Sequence, residues 1–200
     1  MDAYSAGHGG TQVDTAKPEP LVSRIATPYE GSGRPPRDPS APVDAPLRLH
    51  ATTVRPEWVD YNAHMSESCF LLVFGDNADA FFRYVGIDEA YRASGQSLYT
   101  VQTSLHHRRE AAEGDPIDLT LRVLDHDDAR VHIYHEMLHG GTGELLAAAE
   151  QLLVHVDIAA GRSTPMPAEL LAHVRAVREA HAGLAVPDLV GRPLRIRRRP

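Results

Sequence analysis

Two hundred residues, 42% of them hydrophobic, suffice for one domain with a real core, and the formal net charge of −7 argues against nucleic acid as the main partner, because phosphate binding rests on basic surface. No apolar run approaches the ~20 residues needed to cross a bilayer, so no membrane partner is expected. The first residues lack the charged-then-apolar profile of a signal peptide, and the single cysteine, Cys69, cannot form an internal disulfide; the sequence therefore reads as cytoplasmic. For Cys69 the plain reading is packing inside a helix, since a thiol nucleophile would want a basic partner and some exposure.

Residues 1–46 hold eight of the fifteen prolines and few large apolar side chains, so they cannot bury enough surface to offset ordering and read as a disordered arm. Leu47 to Val54 alternates apolar positions as a strand does, and Pro56 ends it. A polar knot follows, Asp60-Tyr61-Asn62-Ala63-His64-Met65-Ser66-Glu67. Behind it, Cys69 to Phe74 leaves no polar face, and Ala78, Ala80, Phe81, Phe82, Tyr84 and Val85 carry the apolar run to Gly86. A helix of about 19 residues, roughly 28 Å long, would fill that length, and a helix apolar all round is a buried one. Asn62 and Ser66 are good capping residues before it, and Gly86 most easily takes the left-handed turn that ends a helix.

After a polar turn over Ile87 to Gly95, four segments read as long strands: Ser97 to Glu110, Pro116 to Leu124, Arg130 to His139 and Leu145 to Val156. The breaks Gly114-Asp115-Pro116, Asp125-His126-Asp127-Asp128 and Gly140-Gly141-Thr142-Gly143 are hairpin chemistry, which makes consecutive antiparallel strands the natural reading. Leu145 to Leu152 has helix-forming composition, but a strand there gives four strands to shield the helix and one another. Pro165 to Ala182 reads as a helix with Pro167 suited to its first turn, and the tail carries Arg195, Arg197, Arg198 and Arg199. The plan is an arm over 1–46, one α+β domain over 47–160, and a C-terminal helix with a basic tail over 161–200.

The knot puts a carboxylate, an amide and an imidazole at the positive end of a buried helix, where a developing oxyanion is stabilised. Further along, His135-Glu136-Met137-Leu138-His139 matches the zinc-peptidase pattern H-E-x-x-H, which needs a helix to bring both histidines to one face. Here Val131, Ile133 and Met137 alternate with His132, Tyr134 and Glu136 in strand fashion, and Gly140-Gly141 stops any helix. No third ligand follows at a standard spacing, so these read as strand-face residues and no metal is expected.

The order strand, long buried helix, four antiparallel strands is the hot-dog arrangement, a curved sheet wrapped around one central helix. Over about Pro46 to Gly161 the sequence resembles the hot-dog acyl-CoA thioesterases of the 4-hydroxybenzoyl-CoA thioesterase type, and within them the betainyl-CoA thioesterases, a domain also found fused to carnitine dehydrogenase. The residues that carry the resemblance, taken together, are Val54-Arg55-Pro56-Glu57-Trp58-Val59-Asp60-Tyr61-Asn62-Ala63-His64-Met65, Ser97-Leu98-Tyr99-Thr100-Val101-Gln102-Thr103 and Ala149-Glu150-Gln151-Leu152-Leu153-Val154-His155-Val156-Asp157. It implies hydrolysis of a short polar acyl-CoA, betainyl-CoA in particular, to the free acid and CoA. It also implies a homodimer or homotetramer with pockets between subunits, water as second substrate, and neither metal nor organic cofactor.

In such relatives the carboxylate before the central helix is catalytic, as nucleophile on the thioester carbonyl or as general base toward water, and Asp60 occupies that place. The carbonyl oxygen would be polarised by the backbone N–H near Glu67. The alternative is that Asp60 only shapes the loop. His64 would orient Asp60 or line the pocket, and Glu67 would be a second carboxylate or a favourable charge at the helix end; Asn62 completes the catalytic group. Ala63 stands where Gly is usual and Ser66 where Asn is usual, so the loop that aims Asp60 departs from the usual pattern at two positions. Arg108 and Arg109, beside His106 and His107, are candidates for the CoA phosphates, against the plain reading of a solvated strand end. Trp58, Tyr61, Phe74 and Tyr99 are candidates to hold a trimethylammonium on aromatic faces, with core packing the alternative for Phe74.

Three other readings compete. Hot-dog enoyl-CoA hydratases carry Asp-x-Asn with a His five residues after the Asp, whereas His64 follows Asp60 by four, which turns the ring away from that geometry. The others are a non-catalytic acyl-CoA-binding protein and an interaction module displaying the arm.

Overall fold

The computed structural model describes residues 36–196, so residues 1–35 of the expected disordered arm and Arg197, Arg198 and Arg199 lie outside the described residues. In chain order the elements are β1 (Ala51–Thr53), a 3-10 turn (Pro56–Trp58), α1 (Glu67–Val85), α2 (Glu89–Ala93), β2 (Gln96–His107), β3 (Pro116–His126), β4 (Arg130–His139), β5 (Leu145–Asp157), β6 (Arg162–Ser163) and α3 (Ala168–Ala180). The strands form one antiparallel sheet in the order β1-β3-β4-β5-β2, with β6 added to β5. This is the hot-dog fold, with α1 as its central helix.

Helix α1 runs for 19 residues and ends on Gly86 at φ 109, the left-handed conformation that glycine adopts without strain. It buries Phe70, Val73, Phe74, Asn77, Ala78, Phe81, Phe82 and Val85. Its first half packs with Val54, Trp58, Met65, Ile117, Leu119, Met137, Ala147 and Ala149, and its second half with Leu98, Leu121, Val123, Val131, Ile133 and Leu153. Strand β5 forms despite its helical composition because Ala147 and Ala149 lie fully buried in the cluster that holds Phe70 and Phe74, where small side chains leave room for those rings. Packing overrides propensity here.

Three expectations need correction. The strand expected over Leu47 to Val54 is broken: Leu47 bridges Leu121, and pairing resumes at Ala51 opposite Asp118, so four residue steps on the edge face three on β3. The extra residue is a bulge, a common feature of edge strands. The arm is also not loose as far as Pro46. The Arg37 N–H donates to the Tyr84 carbonyl at 2.9 Å and Val43 packs on the main core; one apolar anchor and a few backbone bonds order a stretch whose average composition is that of a linker. Finally, Pro167 stands at the N-cap of α3, one position before the first turn.

Helix α3 is part of the same core: Leu170, Val174 and Val177 are buried beside Phe81, Phe82 and Val85. His181, just past its end, accepts the Val123 N–H at Nδ1 (3.0 Å), so its Nε2–H donates to the Asp44 carbonyl at 3.0 Å. That ring ties arm, sheet and C-terminal helix together, and burial holds its pKa below the usual histidine value.

Candidate active site

The polar knot folds as a tight loop in front of α1. Val59 and Met65 form an antiparallel bridge, the Asp60 N–H donates to the His64 carbonyl at 2.9 Å, and the Ala63 N–H donates to the Asp60 carbonyl at 3.0 Å. The Asp60 side chain is half-buried, and its Oδ1 accepts the Asn62 N–H at 2.8 Å. This is the local turn that Asp favours, so one carboxylate oxygen shapes the loop while the other is not engaged by any hydrogen bond among the described residues. Ala63 sits at φ 61, a left-handed conformation that glycine adopts far more cheaply.

Ser66 takes the N-cap position of α1, but its hydroxyl contacts Ser68 Oγ at 3.3 Å and caps no helix amide. Asn62 lies further back in the loop and does not cap either. The N–H groups of Glu67 and Ser68 therefore have no acceptor among the described residues, and the positive end of a buried helix is left with donors to spare. A cleft of about 380 Å³ opens there, lined by Met65, Glu67, Phe70, His107, Arg108, Arg109 and Glu110. The His107 ring meets Phe70 edge-on with centroids 4.9 Å apart.

The sequence candidates are thus partly assembled. Glu67, Arg108 and Arg109 share the cleft; Asp60 belongs to the loop before it and does not line it. His64 does not reach the Asp60 carboxylate with its ring: Nε2 pairs with Glu110 Oε2 at 3.3 Å, which ties the loop to the cleft. Arg108 and Arg109 follow the end of β2, both N–H groups donating to the Leu146 carbonyl (2.8 and 3.0 Å), and Arg109 pairs with Glu144 at 3.1 Å.

The four aromatic candidates do not converge within one protomer. Trp58 is buried among Met65, Phe70 and Phe74, with the Arg55 guanidinium 5.0 Å from its ring centroid. Phe74 is fully buried against His135, Tyr61 is 95% exposed, and Tyr99 lies on the opposite face of β2 from the core residue Leu98. His135 and His139 lie on a strand, so the H-E-x-x-H pattern lacks the helix that its chemistry requires.

His107 was not among the sequence candidates, and the cause is visible. The register slips between Thr100 and Gln102, so Thr103, Leu105 and His107 turn toward the helix. Strict alternation from Leu98 would have turned His106 inward instead.

An uncapped helix start beneath an acid, imidazole and guanidinium cleft, on a sheet wrapped around that helix, defines the protein's class. The chain belongs to the thioesterase-like superfamily, whose family model matches residues 54–174. It is 40% identical over 192 residues to the L-carnitine dehydrogenase/betainyl-CoA thioesterase of Rhizobium meliloti (strain 1021), which is 96% of this chain and 38% of that protein. The match thus extends into the arm, and the chain spans well under half of that relative. It is 43% identical over 147 residues to the betainyl-CoA thioesterase of Pseudomonas aeruginosa, covering 73% of this chain and 92% of that protein. A Staphylococcus aureus protein solved in complex with CoA superposes with a TM-score of 0.72 at 21% identity, over 78% of this chain and 100% of that one, a likeness of fold.

Proposed function

We propose that the chain hydrolyses a short polar acyl-CoA thioester, betainyl-CoA, to the free acid and CoA. The observation that carries this reading is the 43% identity to a betainyl-CoA thioesterase across 92% of that protein. The site's chemistry agrees with it. The thioester carbonyl lies over the uncapped start of α1, where the Glu67 and Ser68 amides receive the oxyanion. Asp60 supplies the attacking oxygen, or the base that makes water the attacker. Arg108 and Arg109 at the cleft's rim meet the CoA phosphates, while Glu67 and Glu110 suit a cationic acyl group better than a fatty one.

The working form is a cytoplasmic homodimer or homotetramer joined along β2. That edge strand exposes Tyr99 and Val101, large apolar side chains that a second copy would cover. A second copy would also be needed to enclose Tyr61, which is 95% exposed in a single protomer. Water is the co-substrate, and neither metal nor organic cofactor takes part. The test is free thiol release from betainyl-CoA, acetyl-CoA and an aromatic CoA ester. A clear preference for betainyl-CoA is expected. Equal weak rates on all three would defeat the substrate assignment and leave the class, and a hydration product from an enoyl-CoA would replace the reaction.

A further inference from the structure

Four side chains that take no part in the proposed chemistry join in a line across the inner face of the sheet. Asn77 of α1 is fully buried; its Nδ2 lies 2.9 Å from His135 Nδ1 and 3.4 Å from the Thr120 carbonyl oxygen. His135 Nε2 lies 3.1 Å from Gln151 Oε1, and Gln151 Nε2 donates to Thr103 Oγ1 at 3.3 Å. The line runs from the helix through β4 and β5 to the edge strand β2.

Its direction is fixed by what each atom can do. The Thr120 carbonyl only accepts, so the Asn77 group facing it is the amide nitrogen, and His135 Nδ1 accepts from that same nitrogen. The imidazole proton therefore sits on Nε2 and is donated to Gln151 Oε1, which leaves the Gln151 amide nitrogen to donate to Thr103. Burial pushes the pKa of His135 down to about 4, so the ring stays neutral and the order of donors does not reverse near neutral pH. At the far end Thr103 Oγ1 is an acceptor, and its own O–H is free to point outward. Thr103 is exposed and shares the inward row of β2 with Leu105 and His107. Four residues at ~3.3 Å put it roughly 13 Å from His107 along the strand, a span that an extended CoA arm covers.

We propose that Thr103 is a substrate-positioning residue, whose hydroxyl, oriented by the line Asn77–His135–Gln151, donates to a carbonyl oxygen of the bound acyl-CoA. This rests on the thioesterase reading. The accepting carbonyl belongs to an amide of the pantetheine arm, because the thioester carbonyl lies at the start of α1, in the cleft that His107 lines. A donor of fixed sense selects oxygen and has nothing to offer a trimethylammonium, so it favours the pose in which the cationic end lies away from it. Bonds in such a line also polarise one another, which strengthens the terminal donor.

The test uses the full chain with Thr103→Val, which keeps the β-branched shape, and Thr103→Ser, which keeps the hydroxyl. Turnover of betainyl-CoA is measured by thiol release, and binding of CoA and of betainyl-CoA by calorimetry. Thr103→Val is expected to raise KM by about five- to tenfold with kcat within about twofold, the signature of a lost neutral hydrogen bond that binds ground and transition states alike. Thr103→Ser should stay within about twofold of wild type. Equal weakening of free CoA and of the ester is expected, since both carry the pantetheine arm; weakening of the ester alone overturns the proposal. A Thr103→Val enzyme with unchanged KM and Kd, or a Ser variant as impaired as Val, overturns the proposal. A wild type that releases no thiol from any ester defeats the functional reading instead, and the CoA-binding comparison then decides the role of Thr103 alone.

Discussion

His173 Nδ1 sits 2.7 Å from the carbonyl oxygen of Val85, the last residue of α1, so a side chain of α3 closes the end of the central helix. The last carbonyls of a helix have no partner within it, and a donor there also meets the negative end of the helix dipole. A Cβ added to Gly86 would meet the same His173 ring at 3.6 Å, an ordinary contact, so backbone conformation rather than space makes that position glycine. His173→Ala is expected to lower stability by about 1 kcal/mol, the net worth of one hydrogen bond. Gly86→Ala should cost about 1–2 kcal/mol for the left-handed backbone. Urea denaturation measures both, and a His173→Ala midpoint equal to wild type would mean water replaces the cap.

Ala63 holds a left-handed conformation at φ 61 in the loop that carries Asp60. Such a residue costs of order 1–3 kcal/mol, part of which glycine returns as chain entropy in the unfolded state. Ala63→Gly is therefore expected to stabilise the fold by about 0.5–1 kcal/mol with thiol release unchanged. A loss of stability would show that the loop's other contacts have already absorbed the strain.

Much of this was legible in the sequence for identifiable reasons. The apolar run from Cys69 and the stop at Gly86 define α1, and Gly, Asp and Pro clusters separate the strands. Each is a local signal. What was not legible depends on parts of the chain that meet only after folding. The slip at Thr100 and Gln102 decides that His107, not His106, faces the cleft. Nothing around Asn77, His135 or Gln151 in the sequence announces that they meet, because their partners are 58 and 16 residues apart. Trp58 and Phe74 carry the same aromatic signal as Tyr61, yet packing buries the first two and leaves the third in solvent.

Two partly or fully desolvated groups, His135 and Asp76, pull the acid stability of the fold in opposite directions. His135 has a pKa of about 4 against 6.5 for a free histidine, chiefly from burial. Between those values the unfolded chain binds a proton that the folded one does not, so stability falls as pH drops through the window, by about 3 kcal/mol in order of magnitude. Asp76 is raised to about 6 from 3.8, first by burial and then by the Asp79 charge, against the pull of Arg55. Here the folded chain binds the extra proton, so its contribution is lost as pH rises through the same range. Asp76→Asn should therefore stabilise the protein above about pH 7 by about 1 kcal/mol, allowing for solvent screening of its half-exposed side chain. The variant should also lose stability more steeply than wild type on acidification toward about pH 4.5. Urea midpoints across that range decide it, and a curve parallel to wild type would contradict the offset.

Asp60 carries two duties, and a single substitution separates them. Asparagine keeps an oxygen that accepts the Asn62 N–H, so Asp60→Asn preserves the turn seen at 2.8 Å and removes only the charge. Thiol release from betainyl-CoA is expected to fall by about 10²- to 10⁴-fold, the range for a lost general base, with a melting temperature close to wild type. Glu67→Gln changes a cleft carboxylate at the helix start while leaving the backbone donors in place, and should cost less than about tenfold if the amides rather than the side chain hold the oxyanion. If Asp60→Asn keeps more than about a tenth of the activity while Glu67→Gln loses most of it, Asp60 only forms the loop. The carboxylate that meets the thioester is then the one already standing in the cleft wall.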